Sequence, residues 1–321
     1  MNHAKLALVL VCALLAACLF CGCTQQQSQT QKEPEYKAEL IQGDTLKVLI
    51  APDYPPFAAG SGADVWGYDI AVAQEIANRL NLQLEFVETS RTKLLSVLTC
   101  EPESVAAATT AATTAAPASE PEEPEPQADI AIGALAITPE RDDKVDFSSW
   151  YCIGDQAVIC RKPVGEQGTE SSKYPTDARK QSSKTTAKQP DSKANNVTYL
   201  STADFDRETT RIAVVKGSTC LDTAKTLTNE KLIAEYSSAQ KCLQALQAKE
   251  VQAVVLDLPV ANYYLQQGFA DLQIIEYIMT GEAYGIALPS DSSHLKDAIN
   301  EIIAEMEEDG TLDRLASEYL Q

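Results

Sequence analysis

Ala136-Ile137-Thr138-Pro139-Glu140-Arg141, followed by Val145-Asp146-Phe147-Ser148, is the stretch on which the reading of this chain turns. Thr138 is an N-cap type of residue, Pro139 suits the first helical position, and Glu140 suits the first turn. Arg141 then lies beside free backbone N–H groups at a helix N-terminus. Oriented donors, a partial positive charge and a bidentate guanidinium together make a small carboxylate receptor. Alone, the stretch equally describes a capped helix with a surface arginine.

The surroundings decide between these readings. Leu46-Lys47-Val48-Leu49-Ile50 is a β-rich run ended by Pro52. The loop Asp53-Tyr54-Pro55-Pro56-Phe57 follows, stiffened by its prolines. Asp69 is placed to cap the next helix, in which Ile70, Ala73, Ile76, Ala77 and Leu80 recur at helical spacing. Leu82, Leu84 and Phe86 alternate as in a strand, and a helix is expected from about Thr92 to Leu98. A buried strand, Asp129 to Leu135, leads into the arginine segment. This β-α-β-α-β order implies a parallel sheet covered on both faces.

A second unit repeats the plan. The strand Arg211 to Val215 ends at Lys216-Gly217-Ser218-Thr219 and opens a helix with Leu221, Ala224 and Leu227 inward. Leu243, Leu246 and Ala248 belong to another helix. Val251 to Leu256 is a buried strand ending at Asp257, and Tyr284 to Leu288 is a further β-like run. An amphipathic helix with Leu295, Ile299, Ile302, Ile303 and Met306 breaks at Gly310, and a short helix closes the chain.

Two segments interrupt this plan. Residues 101–127 hold six acids and no base among Ala, Thr and Pro. Residues 163–197 are Ser, Lys, Thr and Gln without apolar period. Neither buries enough apolar surface to offset ordering entropy, so both are expected to be disordered surface insertions.

The start of the chain reads as an export signal over residues 1–17, with Lys5 before the apolar run Leu6 to Ala17. Its end, Leu15-Ala16-Ala17-Cys18, resembles a bacterial lipobox. Cys18 is therefore the expected lipidation site, with Cys23 as the alternative. Residues 18–44 form the lipidated N-terminus and a tether, Gln-, Ser- and Thr-rich over 24–36. No later stretch reads as a membrane span. Of nine cysteines, Cys100, Cys152, Cys160, Cys220 and Cys242 lie beyond this region. One or two disulfides are possible among them, with no pairing indicated. No metal site is expected, because His294 is the one histidine after the signal and no C-x-x-C pair follows it. The formal net charge of −20 argues against nucleic acid as a partner.

The segments 46–57, Trp66-Gly67-Tyr68-Asp69, 129–148, Gly217-Ser218-Thr219, 254–261, 284–288 and Asp309-Gly310-Thr311-Leu312-Asp313 carry a resemblance. In order and spacing the chain resembles the bacterial extracellular solute-binding proteins of family 3, which deliver polar amino acids to ABC importers. The resemblance implies a two-lobe α/β fold of the periplasmic-binding-protein type II, with two doubly wound sheets joined by two hinge strands. Lobe 1 would comprise 45–153 and 285–321, and lobe 2 would comprise 154–284. The hinge crossings would fall near 153–156 and 281–284.

Carried over residue by residue, the resemblance implies that Arg141 binds the α-carboxylate of an amino acid, aided by backbone N–H groups near Ala136 and by Thr219. Asp257 would take the α-ammonium, and Tyr54 and Phe57 would line the apolar wall. A zwitterion needs one fixed cation and one fixed anion, on different lobes if binding is to drive closure. Many relatives have a hydroxyl residue where Ala136 stands. The segment from Glu88 to Leu94 looks like that of relatives that bind acidic amino acids. Arg91 or Lys93 would pair with a side-chain carboxylate, or either is solvated on a helix surface.

The leading expectation is a monomeric, lipid-anchored receptor on the outer face of the cytoplasmic membrane or in the periplasm. It would hand an amino acid, an acidic one where Arg91 or Lys93 meets the side chain, to an ABC permease without catalysis or cofactor. The alternatives are a cyclohexadienyl or arogenate dehydratase on the same scaffold, or a ligand-sensing lipoprotein. A dehydratase needs a general acid in the cleft, and no cleft histidine is evident in the sequence.

Overall fold

The computed structural model describes residues 33–99, 127–163 and 199–320. The signal, Cys18, Cys23, Cys100 and nearly all of both insertions lie outside the described residues. The elements below belong to the unit Glu35–Gln321.

The chain begins with β1 (Thr45–Ile50), a small hairpin of β2 (Asp53–Tyr54) and β3 (Ala58–Ala59), α1 (Tyr68–Arg79) and β4 (Gln83–Glu88). A 3-10 turn over Arg91–Lys93 leads into α2 (Leu94–Leu98). Then come β5 (Ile130–Ala136), α3 (Pro139–Asp142), β6 (Asp146–Phe147) and the long β7 (Cys152–Arg161). The second lobe holds β8 (Ile212–Val215), α4 (Cys220–Leu227), β9 (Ile233–Tyr236), α5 (Ala239–Gln247), β10 (Ala253–Asp257) and α6 (Leu258–Gln266). The 17-residue β11 (Leu272–Leu288) returns to the first lobe, where α7 (Ser293–Glu308) and α8 (Thr311–Tyr319) complete the fold.

The strand order is β4-β1-β5-β11-β7-β10-β8-β9. The sheets of the two lobes are thus hydrogen-bonded into one path through β7 and β11. Strand β11 pairs with β7 along its length, while Tyr284, Gly285 and Ala287 also pair with β5. Its register against β7 shifts between Ile278 and Glu282, where it passes from one lobe to the other.

Each lobe sheet is covered on both faces, which the two-residue alternation of its strands shows. In β1, Leu46, Val48 and Ile50 pack into the cluster that holds Ala73 and Ile76 of α1. Leu49 and Ala51 face the other way, onto Leu94 and Leu98 of α2. In the second lobe, Ile212 and Val214 meet Cys220 and Ala224, while Ala213 and Val215 meet the cluster containing Leu243 and Leu246. A parallel sheet needs this double cover because both faces are apolar.

Several expectations change. Asp69 does not cap α1. Gly67 is the N-cap, and the carbonyls of Pro56 and Phe57 accept the N–H groups of Tyr68 and Asp69, both at 2.9 Å. With those donors satisfied by the loop, the Asp69 side chain turns inward and is fully buried. A Cβ at Gly67 would lie 2.2 Å from the Phe57 carbonyl oxygen, and its φ is +133°, so glycine is required there. Strand β11 begins twelve residues earlier than the run read at Tyr284. Cys152, Cys160, Cys220 and Cys242 are free thiols, so no disulfide joins these four. Cys152 and Cys160 stand at opposite ends of β7, roughly 26 Å apart at the usual rise, far beyond disulfide reach.

Candidate functional site

The cleft between the lobes is built where β5, β8 and β10 end. Thr138 is the N-cap of α3 in extended conformation and Pro139 opens the helix, but the Thr138 side chain makes no capping bond. The Thr138 carbonyl instead accepts the Arg141 N–H at 3.0 Å. The Arg141 guanidinium donates to the Ala136 carbonyl at 2.7 Å and, across the cleft, to the Gly217 carbonyl at 3.0 Å. Burial lowers its pKa, and the neighbouring Arg91 lowers it further. Two guanidiniums therefore share one part of the cleft, a field that favours an anion.

Arg91 is inside the protein rather than on a solvated helix surface. It is 9% exposed and lies 4.0 Å above the Tyr54 ring centroid. It donates to the Gly133 carbonyl at 2.6 Å and the Ala134 carbonyl at 3.1 Å, while its Nε has no partner. Ala134 holds a positive φ of 46°, an unfavourable conformation for a residue with a Cβ. Its N–H donates to Asp69 at 2.9 Å, and Asp69 also accepts the Tyr151 hydroxyl at 2.7 Å. Asp69 and Arg91 thus hold the distorted end of β5 from both sides. Lys93 is exposed and sits on the outer face of the same 3-10 turn.

Asp257 ends β10 and is 2% exposed. Tyr54, from the opposite lobe, donates its hydroxyl to Asp257 at 2.7 Å, and the Cys220 thiol donates at 3.5 Å. Burial and the Asp257 charge both push the Tyr54 hydroxyl and the Cys220 thiol well above their ordinary pKa values. Phe57 is fully buried, stacked at 6.2 Å on Tyr54 and edge-on at 5.7 Å to Tyr284. It supports the Tyr54 ring from behind. Thr219 donates to Glu282 at 2.9 Å, and Gln156 donates to the other Glu282 oxygen at 3.1 Å.

The structure therefore brings Tyr54, Arg91, Ala136, Arg141, Thr219 and Asp257 to one cleft, with Phe57 behind Tyr54 and Lys93 outside. A groove of about 550 Å³ is lined by Arg91, Thr92, Leu95 and Arg141 on one side and by Lys216, Gly217 and Leu221 on the other; Tyr54, Thr219 and Asp257 are not part of its lining. Gln156, Cys220, Glu282 and Tyr284 were not among the residues expected at the site. Glu282 and Tyr284 lie on β11 just after its register against β7 shifts, and Cys220 directly follows Thr219. Among the described residues no cluster of His, Cys, Asp or Glu is arranged to hold a metal ion.

The model of the bacterial extracellular solute-binding proteins, family 3, matches residues 46–115 and 121–321. The arginine-binding extracellular protein ArtP of Bacillus subtilis (strain 168) is 21% identical over 310 residues, covering 95% of each chain. The L-cystine-binding protein TcyA of the same organism is 24% identical over 327 residues, covering 99% of this chain and 97% of its own. The crystal structure of the ancestral amino acid-binding protein AncCDT-1, a precursor of cyclohexadienyl dehydratase, superimposes with a TM-score of 0.63 at 22% identity. It covers 87% of this chain and 96% of its own. The relatives are named for different amino acids, and their names do not single out a side chain. The match to the family model over both lobes makes the chain a member of the bacterial extracellular solute-binding proteins of family 3.

Proposed function

We propose that this protein is the receptor of an amino-acid ABC importer. It closes its two lobes over one amino acid and presents it to a permease. The observation that carries this reading is a half-buried cation, Arg141, held on backbone carbonyls, and a buried anion, Asp257, held by neutral donors, on different lobes and not bonded to each other. Arg141 takes the α-carboxylate, and Asp257 takes the α-ammonium. Tyr54 forms the apolar wall with Phe57 behind it, the Ala136 carbonyl holds Arg141, and the Thr219 hydroxyl is held on Glu282. Arg91 is the group an acidic side chain meets, through its unpartnered Nε. Lys93 is not given that role. Lipid attachment at Cys18, or at Cys23, holds the protein at the outer face of the membrane.

The test is a thermal-shift screen against the twenty amino acids, repeated on Arg141→Ala. A compound present at a hundred times its Kd adds about 2.7 kcal/mol to stability. Arg141→Ala removes one partner of a buried charge pair, a loss of about 2–5 kcal/mol and more than tenfold in affinity. No shift with any amino acid, or equal shifts in both proteins, contradicts the reading.

A further inference from the structure

Where β11, β7 and β10 lie side by side, Asp257 is not the one acceptor available to a ligand cation. Gln156 on β7 and Asp257 on β10 are directly opposed in the antiparallel ladder. Directly opposed residues project to one face, with Cβ atoms about 4.5–5.5 Å apart. Glu282 comes to the same place from β11. Its Oε1 accepts the Gln156 amide N–H at 3.1 Å, and its Oε2 accepts the Thr219 hydroxyl at 2.9 Å. Burial and the nearby Asp257 charge raise the pKa of Glu282, while the Thr219 and Gln156 hydrogen bonds and the Arg141 charge lower it. Among the described residues, both carboxylates are met only by neutral donors at hydrogen-bond distance: Tyr54 and Cys220, or Thr219 and Gln156.

A second observation points to a missing donor. Gln156 is fully buried, and its Oε1 has no hydrogen-bond partner. The amide nitrogen of the same side chain donates to Glu282 at 3.1 Å and to the Thr219 hydroxyl at 3.4 Å, which fixes the orientation and leaves Oε1 as a bare acceptor. A buried acceptor without a donor costs free energy, so such groups mark places where a donor binds. Three acceptors of two kinds therefore meet here: two like-charged carboxylates and one amide oxygen.

We infer that Asp257, Glu282 and Gln156 Oε1 form a three-acceptor pocket for an unsubstituted primary ammonium. The protein then selects ligands by the number of N–H bonds on the charged nitrogen. This inference rests on the amino-acid reading above and deepens it. A primary ammonium has three donors, one for each acceptor. Its charge also relieves the repulsion between the two carboxylates. An Nα-methyl amino acid or an imino acid has two donors and leaves one buried acceptor unpaired. A quaternary ammonium has none.

Calorimetric titration of the full chain tests this. Each of the twenty L-amino acids that binds is compared with its Nα-methyl counterpart, in the wild type, Glu282→Gln, Gln156→Met and Arg141→Ala. Thermal unfolding of each variant serves as the folding control. The wild type is expected to disfavour the Nα-methyl form by about tenfold or more, the usual size of one lost charge-assisted hydrogen bond. Glu282→Gln is expected to weaken the primary amino acid by about tenfold and to shrink that discrimination. Gln156→Met is expected to act in the same direction. Equal affinity of the wild type for both forms, or discrimination unchanged in Glu282→Gln, overturns the inference while a weakened Arg141→Ala leaves the amino-acid site standing. Failure of every amino acid to bind the wild type overturns both.

Discussion

Asp69 sets how the end of β5 responds to pH. The side chain is fully buried, and burial raises its pKa from 3.8 to about 6 against the lowering effect of the Tyr151 and Ala134 hydrogen bonds. An acid whose pKa is higher when folded binds more protons in the folded state, so its contribution to stability is fully present below pH 3.8. It is lost as pH rises through about 6. At 1.36 kcal/mol per pKa unit this amounts to about 3 kcal/mol between the two limits. In Asp69→Asn that dependence disappears. The amide keeps one acceptor for the Ala134 N–H but places an NH2 against Tyr151, a mismatch of about 1–3 kcal/mol. At pH 7 the removed charge penalty and the mismatch nearly cancel, so variant and wild type should unfold at similar urea concentrations. At pH 4, where most of that contribution is present, the variant should be less stable by about 2 kcal/mol. Urea unfolding of both proteins at pH 4, 5, 6 and 7 measures the difference, and subtraction removes the other carboxylates. A difference that stays flat across this range refutes the assignment of a raised pKa to Asp69.

Gly154→Ala should lower the melting temperature and weaken amino-acid binding together. Its Cβ would lie 2.2 Å from the Tyr284 hydroxyl and 2.4 Å from the ring carbon that bears it, and a buried ring cannot step aside. Overpacking of this kind costs about 1–3 kcal/mol, read as a shift of several degrees in a scanning fluorimetry trace. Arg91→Lys should weaken both stability and binding. A lysine cannot donate to Gly133 and Ala134 in parallel while stacking on Tyr54. Lys93→Ala, on the exposed side of the same turn, should leave the calorimetric affinity for any amino acid within a factor of about two, as surface substitutions do.

The positions of Arg141 and Asp257 just beyond and at the ends of buried strands were legible in the sequence, because both apolar runs are continuous and end abruptly. The lobes were legible for a related reason. The apolar runs of β1 and β10, the alternation of Leu82, Leu84 and Phe86 at β4 and the helical spacing in α1 and α7 agree with one another along the chain. Arg91 was not decided, because a basic residue after a strand looks the same whether it is solvated or folded over a tyrosine. Only the packing against Tyr54 and the carbonyls of Gly133 and Ala134 separates the two. Glu282 and Gln156 were hidden by the hinge itself. Residues 272–283 of β11 are rich in Leu, Ile, Tyr and Met but half-buried without clean alternation, so their pattern does not mark which side chains face the site. The side chains meet only through the register of three strands distant in sequence. Asp69 looked like a cap because it sits at a helix start, but the loop carbonyls had already satisfied the N-terminal donors.

The most direct test of the account is a calorimetric comparison of wild type and Asp257→Asn. Each is titrated with the amino acid that most raises the melting temperature and with its analogue lacking the α-amino group. The account predicts one amino acid per chain for the wild type. It predicts a loss of about 2–5 kcal/mol in Asp257→Asn for the amino acid, because a buried ammonium is left without its carboxylate. For the des-amino analogue, the variant should bind at least as well as the wild type, since no cation remains to be matched. An equal loss for both compounds, or no loss for the amino acid, contradicts the placement of the α-ammonium at Asp257 and with it the orientation of the ligand in the cleft.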